Sequence, residues 1–152
     1  MGVDTRWLTP EELRSWRSYT TLTELLEVEL GRDLGPSGLS YPDYLVLVML
    51  SEAERHRLRM QDLGAALSWS KSRLSHQLRR MEGRDLVTRE DCPSDARGTY
   101  AVLAPAGLAA IRAAAPLHVA SVRRLVVDVL TPDELASLGA LSAKLLDRLR
   151  PR

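Results

Sequence analysis

Residues 60–83 read MQDLGAALSWSKSRLSHQLRRMEG, and this segment indicates the fold more directly than any other. Its first eight residues carry apolar side chains at helical spacing and predict a short helix. After Ser68-Trp69, Ser70 is a suitable N-cap for a second helix that runs from Lys71 to about Gly83. Two short helices joined by a turn of three or four residues have the spacing of a helix-turn-helix.

The second helix has two contrasting faces. At 100° per residue, Leu78 and Met81 lie within about 40° of Leu74 and form an apolar side. The opposite side is cationic or polar, and guanidinium groups on such a helix can bind guanine or phosphate in the major groove. An ordinary solvated face is the alternative interpretation. The candidate DNA contacts of this helix are Ser70, Lys71, Ser72, Arg73, Ser75, His76, Arg79 and Arg80.

A hairpin is predicted directly after the second helix. Residues 86–90 and 99–103 suit short strands, and residues 91–98 form a long polar tip between them. A wing of this kind can place an arginine in the neighbouring minor groove, and Arg97 is the candidate. Asp95 lies two residues earlier, on the same side of an extended strand, and could hold that guanidinium in position. A simple salt bridge within the turn explains the same spacing.

Long helices are predicted on both sides of this segment. Pro10 and Pro132 each follow a threonine and precede a glutamate at capping-box spacing, so each marks the start of a helix. Residues 41–51 predict a buried helix, and residues 105–129 predict a long helix interrupted at Pro116. The terminal helices hold more leucine and valine than a chain of this length needs, which favours a partner over a self-contained bundle.

Composition indicates one compact domain in a reducing compartment. The chain has 152 residues, 45% of them hydrophobic, and a single cysteine, which excludes an intrachain disulfide. No apolar run approaches the roughly 20 residues needed to cross a bilayer, so we expect a cytoplasmic protein without a membrane partner. The net charge is +1, but residues 55–97 contain ten Lys/Arg against six Asp/Glu. The basic excess therefore coincides with the predicted helix-turn-helix and hairpin.

The motifs of common enzymes and metal sites are missing from the sequence. It contains no phosphate-binding glycine loop, HExxH, nucleophile elbow or CxxC. Ser72 and His76 are one helical turn apart but lack an orienting acid, and three histidines with one cysteine fall short of a metal site. Asp91 and Glu90 next to Cys92 disfavour its thiolate, although Arg89 or Arg97 could offset this, and the balance argues against redox sensing. We expect no catalytic residue, no metal and no cofactor.

Over nearly its whole length the sequence resembles the MarR family of winged helix-turn-helix transcriptional regulators. The family's wing pattern is matched by Arg89, by Asp95-Ala96-Arg97 and by the run from Leu103 to Gly107. Its helix-turn-helix pattern is matched by Leu63-Gly64-Ala65 and by residues 70–81. The resemblance implies that Arg97 is the wing arginine and that residues 71–83 form the recognition helix.

The resemblance also implies the organisation of the chain. We expect a mostly α fold with a small β component: one MarR-type domain over residues 1–152, with a winged helix-turn-helix lobe at about 41–104 and a β-hairpin wing. Residues 9–35 and 105–150 are expected to form the dimerisation helices. Many members of the family bind small aromatic acids between the dimer helices and the DNA-binding lobe. The candidate ligand-binding residues are Trp16, Tyr19, Tyr44 and His118, and each is also explained by core or interface packing.

Two positions depart from the family pattern. Asp85 stands where a glycine is usual before the strand, so an aspartate must adopt the left-handed backbone conformation there. Ala104 replaces a threonine that would cap the following helix, a loss worth about 1 kcal/mol. Neither change lies on the predicted DNA face.

The sequence therefore predicts a sequence-specific DNA-binding transcriptional regulator, a repressor that binds an inverted-repeat site in double-stranded DNA as a homodimer and is released by a small aromatic ligand. A DNA-binding regulator that needs no ligand is one alternative. A helical dimeric module that binds another protein is the other. The affinity of a DNA-binding protein falls steeply with salt, which separates it from the protein-binding module.

Overall fold

The computed structural model describes residues 5–149, except for the side chains of residues 96 and 97. It is mostly helical with one small antiparallel sheet, as predicted. Residue 150, the predicted end of the last helix, lies outside the described residues. The elements follow in the order α1 (Pro10–Leu34), α2 (Tyr41–Glu52), β1 (Arg57–Arg59), α3 (Met60–Leu67), α4 (Lys71–Glu82), β2 (Val87–Cys92), β3 (Asp95–Leu103), α5 (Pro105–Val122) and α6 (Pro132–Leu149).

The predicted starts of the two terminal helices are confirmed. Thr9 Oγ1 accepts a hydrogen bond from the Glu12 amide at 3.2 Å, and Glu12 Oε2 accepts one from the Thr9 amide at 2.8 Å. Thr131 and Glu134 form the same reciprocal pair, at 3.3 and 2.8 Å. By contrast, Ala104 provides no side-chain cap for α5. All three helix starts thus agree with the sequence, which predicts side-chain acceptors at Thr9 and Thr131 and none at Ala104.

The core lies where α2, α3 and α4 pack against the sheet and α5. The predicted helix at residues 41–51 is confirmed as buried, because Val46, Leu47 and Leu50 are fully enclosed. The apolar side of α4 is likewise enclosed. The largest fully buried side chains are those of Leu34, Val46, Leu47, Leu50, Leu63, Leu74, Leu78, Met81 and Val87.

The sheet differs from the predicted two-stranded hairpin. Its strand order is β1-β3-β2, and β1, which pairs Arg57 with Val102, was not predicted. The strands β2 and β3 extend into the predicted polar tip, with Asp91 opposite Thr99, and leave only Pro93 and Ser94 between them. Polar residues pair here because the ladder bonds come from the backbone, whatever side chains the strands carry.

The predicted interruption of the long helix at Pro116 is wrong. The helix α5 continues through Pro116 to Val122, and the irregular turn comes later, as a π-helical segment at Arg123–Val127. Pro116 is exposed, and so is Arg112, whose carbonyl loses its amide donor. The helix holds because the missing bond lies on its solvent side, while buried residues on either side of the proline keep it packed.

Candidate nucleic-acid interface

The helix α4 separates its apolar and cationic residues as predicted. Leu74, Leu78 and Met81 are at most 1% exposed, so the helix is anchored in the core along one side. Ser75 is half-buried at the boundary between the two sides. The exposed candidates are Lys71, Ser72, Arg73, His76, Arg79 and Arg80. The structure therefore brings most of the predicted DNA contacts onto one solvent-facing surface.

The turn before α4 is tight and fully hydrogen-bonded. Ser68 adopts the left-handed conformation with φ 56° and ends α3. The Trp69 amide then donates to the Gly64 carbonyl at 2.9 Å. Ser70 caps α4 as predicted, because its Oγ accepts a hydrogen bond from the Arg73 amide at 3.2 Å. These bonds confirm the helix-turn-helix and fix the angle at which α4 leaves it.

A buried polar network, missed by the sequence reasoning, connects α4 to α2. Asp43 is 3% exposed and accepts a hydrogen bond from Gln77 Nε2 at 2.6 Å. The same carboxylate forms an ion pair with Arg84, whose Nη1 lies 2.7 Å from Asp43 Oδ2. It also accepts the Ser40 amide at 2.9 Å, and Arg84 Nη2 donates to the Gly38 carbonyl at 2.6 Å. A carboxylate with so many partners is stable in a protein interior and holds α4 at a defined position.

Arg89 attaches the wing to the same helix. Its Nη2 donates to the Ser75 carbonyl at 3.0 Å, and its Nε lies 3.2 Å from Glu82 Oε1. The wing and α4 are therefore held in one relative orientation. The sequence identified Arg89 as part of the MarR wing pattern, but only the structure shows its contacts with Ser75 and Glu82.

The connection between α4 and the wing leaves little room. Asp85 has φ 58°, which confirms the left-handed conformation expected at this position. At Gly107, near the start of α5, a Cβ atom would lie 2.0 Å from the Leu86 carbonyl oxygen. Only glycine fits at this position, because any larger side chain would collide with the backbone that precedes β2.

The base of the wing carries two arginines on one tyrosine. The Cζ atoms of Arg57 and Arg59 lie 4.7 and 5.7 Å from the centroid of the Tyr100 ring. Arg59 Nη1 is also 3.8 Å from Asp95 Oδ2. The side chain of Arg97 lies outside the described residues, so the predicted pairing of Asp95 with Arg97 stays a prediction.

A groove separates the wing from the helix-turn-helix, with a volume of about 620 Å³. Basic groups contribute to its walls from three different elements, and Trp69 contributes an aromatic ring. Its lining includes Arg59, Trp69, Lys71, Arg89, Asp95 and Thr99. The concave side of the wing is thus continuous with the cationic surface of α4, a charge distribution that suits a polyanion.

Comparison with known proteins agrees with this geometry. A model of the MarR family matches residues 37–98. The transcriptional regulator AbsC from Streptomyces coelicolor is 49% identical, with a TM-score of 0.92 over 97% of this chain and 100% of that one. The chain belongs to the MarR family. Sco3205, a MarR family regulator from the same organism solved in complex with DNA, is 44% identical, with a TM-score of 0.93 over 97% of this chain and 93% of that one.

More distant relatives share the fold. A cysteine-to-serine mutant of MarR from E. coli, complexed with operator DNA, is 25% identical, with a TM-score of 0.82 over 92% of this chain and 99% of that one. A search of the curated proteins gave no match. AbsC and Sco3205 are named as MarR family transcriptional regulators, which agrees with the prediction that this chain is not an enzyme.

The pKa of the Cys92 thiol differs from the sequence-based prediction. Cys92 is buried in the wing, and its Sγ lies 3.2 Å from Ser94 Oγ. The hydrogen bond from Ser94 is the main reason why the pKa of the thiol is lowered from its ordinary value. The pKa thus moves in the direction opposite to that expected from Asp91 and Glu90, and the charge of Arg59 contributes to lowering it.

The four candidate ligand-binding residues form two pairs. The ring of Trp16 lies 6.0 Å from that of Tyr19, and both are about half exposed on α1. The ring of Tyr44 lies 4.3 Å from that of His118, and Tyr41, which was not predicted, lies 6.1 Å from His118 on the same side. Burial lowers the pKa of His118. The second pair joins α2 to α5.

Two other expectations concern metals and membranes. Within residues 5–149, no group of three or more histidine, cysteine or acidic side chains is arranged to hold a metal ion. Across the same residues, no helix combines the length and apolar character required to cross a membrane.

Proposed function

We propose that this chain is a sequence-specific DNA-binding regulator that represses transcription as a homodimer on an inverted-repeat site. The observation that carries the proposal is the exposed cationic side of α4, whose opposite side is locked into the core. Two relatives were solved with DNA, Sco3205 and the E. coli MarR mutant, the latter with operator DNA. A helix held in this way fits the major groove of B-DNA with its basic residues directed at bases and phosphates.

The wing extends the contact to the neighbouring minor groove. Arg89 holds it against α4, so the two parts reach the DNA as one rigid unit. We propose that Arg97 inserts into the minor groove, where a narrow and electronegative floor attracts a guanidinium. Asp95 orients that arginine in the proposal, and this assignment rests on sequence spacing alone.

The terminal helices provide the proposed dimer interface. In the described part of the chain, α6 has no buried residue. The apolar side chains that α1 and α6 expose would lose their contact with water when two copies pack together, and this is the main driving force for association. They include Trp16, Leu22, Leu25 and Val28 of α1 and Leu138, Leu141, Leu145 and Leu149 of α6.

We further propose that a small aromatic ligand releases the DNA. Tyr44 and His118 pack together between α2 and α5, where the DNA-binding lobe meets a helix of the dimerisation part. A ligand inserted beside these rings would change the angle between the two helices and with it the spacing of the two recognition helices. Trp16 and Tyr19 would reach this cleft from the partner copy. A regulator that ignores aromatic ligands is the alternative outcome.

The test is fluorescence anisotropy with the promoter DNA of the chain's own gene and a scrambled duplex at several salt concentrations. Promoter-preferring binding that falls about 10³-fold or more between 50 and 200 mM salt supports the proposal. Arg79→Ala and Arg97→Ala should each weaken binding, whereas Arg112→Ala, an exposed arginine on α5, should not. Equal, weak and salt-insensitive binding to both duplexes would favour the protein-binding module.

The ligand proposal has its own readout in the same assay. Titration of salicylate, a simple aromatic acid, should release the promoter duplex from the wild-type protein. Tyr44→Ala should shift the midpoint of that release at least tenfold if the ring lines the site. Release that is identical in the wild type and in Tyr44→Ala would place the ligand elsewhere. If salicylate and related aromatic acids release no DNA, the ligand-independent alternative holds.

A further inference from the structure

One exposed arginine of α4 is held by an aromatic ring. The Cζ atom of Arg73 lies 4.3 Å from the centroid of the Trp69 ring. Trp69 belongs to the turn of the helix-turn-helix, and Arg73 is the third residue of α4. The side chain of Arg73 is exposed to solvent, whereas that of Trp69 is half-buried. The ring is therefore a platform beneath a guanidinium on the cationic surface.

The platform itself is rigid. The Trp69 amide donates to the Gly64 carbonyl, and its ring packs against the buried core. A Cβ atom on Gly64 would lie only 3.4 Å from the Trp69 carbonyl oxygen, so the backbone of the turn packs closely against α3. The Arg73 amide is held by Ser70 Oγ at 3.2 Å. Both the ring and the backbone from which Arg73 extends are thus fixed.

Stacking orients a guanidinium without using its hydrogen-bond donors. All five N–H groups lie in the plane of the guanidinium, and the ring contacts only its face. The contrast with two neighbouring arginines is informative, because Arg84 and Arg89 donate to Asp43, Gly38 and Ser75 within the protein. In the described part of α4, Arg79 and Arg80 have no hydrogen bond, ion pair or ring contact. Among the three arginines of α4, all of them in the described part of the chain, Arg73 is the one that is both oriented by a protein contact and available to a ligand.

We propose that Arg73 reads a guanine in each half-site and that Trp69 is the positioning residue that sets the plane of its guanidinium. The inference rests on the proposed DNA binding. Residues near the N-terminus of a recognition helix contact base edges, and Arg73 has that position. An arginine in a fixed plane matches the O6 and N7 acceptors of guanine in bidentate fashion. Ordering the side chain before binding removes part of the entropy that a flexible arginine loses when it binds.

The experiment begins with selection of the preferred duplex from random DNA by the wild-type dimer. Arg73→Gln, selected in parallel, identifies the position whose guanine preference depends on Arg73. The wild-type protein should then bind this duplex about tenfold more tightly than one with 7-deazaguanine at that position, which lacks N7. Trp69→Leu should reduce this preference about two- to fivefold, and Trp69→Phe, which keeps an aromatic platform, should retain most of it.

A double variant separates positioning from a general structural role. In the Arg73→Gln background, Trp69→Leu should leave the ratio between guanine and 7-deazaguanine unchanged, because the residue through which it acts is gone. The inference is overturned if Trp69→Leu weakens binding to the selected duplex and to random DNA by the same factor. It is also overturned if Arg73→Gln alters no base preference although the wild type selects a site. If the wild type selects no sequence at all, the proposed function fails as well.

Discussion

The helices α4 and α6 are both amphipathic, but they dispose of their apolar sides in opposite ways. Leu74, Leu78 and Met81 of α4 are enclosed by the core of their own chain. On α6, Leu141 and Leu145 are 62% and 54% exposed, and the described part of this helix has no buried residue. The apolar side of α4 is therefore buried within the chain, whereas the apolar side of α6 stays exposed to solvent.

The difference indicates which apolar side chains the chain covers by itself. The core closes where α2, α3 and α4 pack against the sheet and α5, with Leu34 of α1, and α4 is further held by Asp43 and Arg89. The helix α6 has the capped start of a stable helix but lacks tertiary contacts that would bury its leucines. Burial of each such side chain is worth about 1.5–3 kcal/mol, so this face supplies the driving force for the proposed dimer.

The largest effect is expected from Leu78→Ala in the core. Truncation of a fully buried leucine leaves a cavity and should lower the free energy of unfolding by about 2–5 kcal/mol. Leu141→Ala on α6 is the matched control, and its effect should be negligible in dilute protein and rise to a plateau as the protein concentration increases, because it acts through the dimer. Urea denaturation at several protein concentrations measures both. Equal, concentration-independent losses would remove the distinction between the two helices.

The next effect concerns the network that holds α4. Asp43→Ala removes the acceptor of Gln77 and Arg84 and should lower the free energy of unfolding by about 2–3 kcal/mol. Because α4 is then less firmly positioned, affinity for the preferred DNA should also fall in the anisotropy assay. Asp62→Ala, at an exposed position of α3, should change stability by no more than about 0.5 kcal/mol. A stable Asp43→Ala protein with normal DNA affinity would show that the core alone positions the helix.

A charge on the apolar side of α6 tests the other half of the comparison. Leu145→Glu should raise the dissociation constant of the dimer at least tenfold, about 1.4 kcal/mol, because a carboxylate would be buried in the interface. Ala140→Glu lies on the opposite side of the helix at 100° per residue and should leave association unchanged. Sedimentation equilibrium provides the measurement. If both variants dissociate equally, or if neither does, the dimer uses another surface.

The smallest effect is a pH dependence at the boundary between the two regions. Burial lowers the pKa of His118 below its ordinary 6.5, so the unfolded chain binds a proton more readily than the folded one. Stability should therefore fall as the pH decreases below about 6.5 and level off below the folded-state pKa. His118→Gln should flatten this part of the profile of Tm against pH. An unchanged profile would assign the dependence to other groups.

The sequence predicted those features that depend on neighbouring residues. The capping of α1 and α6 and the two sides of α4 follow from short-range spacing, whereas the left-handed Asp85 was expected from the glycine that the MarR family usually has at this position. The strand β1 was missed because a run of three residues is too short to show an alternating pattern. The helix irregularity was placed at Pro116 because the sequence does not show the tertiary packing that keeps the helix intact there. The strand pairing of Asp91 with Thr99 and of Cys92 with Asp95 was missed because backbone bonds, which side chains do not reveal, stabilise it.

Local sequence is sufficient to predict the helix-turn-helix, its cationic face and the order of the α-helices and the two wing strands, because helix periodicity and caps act over three or four residues. Only the tertiary structure decided that Asp43 meets Gln77 and Arg84, that Arg89 joins the wing to α4, and that Arg73 stacks on Trp69. Asp43 lies 34 residues from Gln77 and 41 from Arg84. Contacts over such separations depend on how complete elements pack, and no local pattern encodes the distance between two side chains.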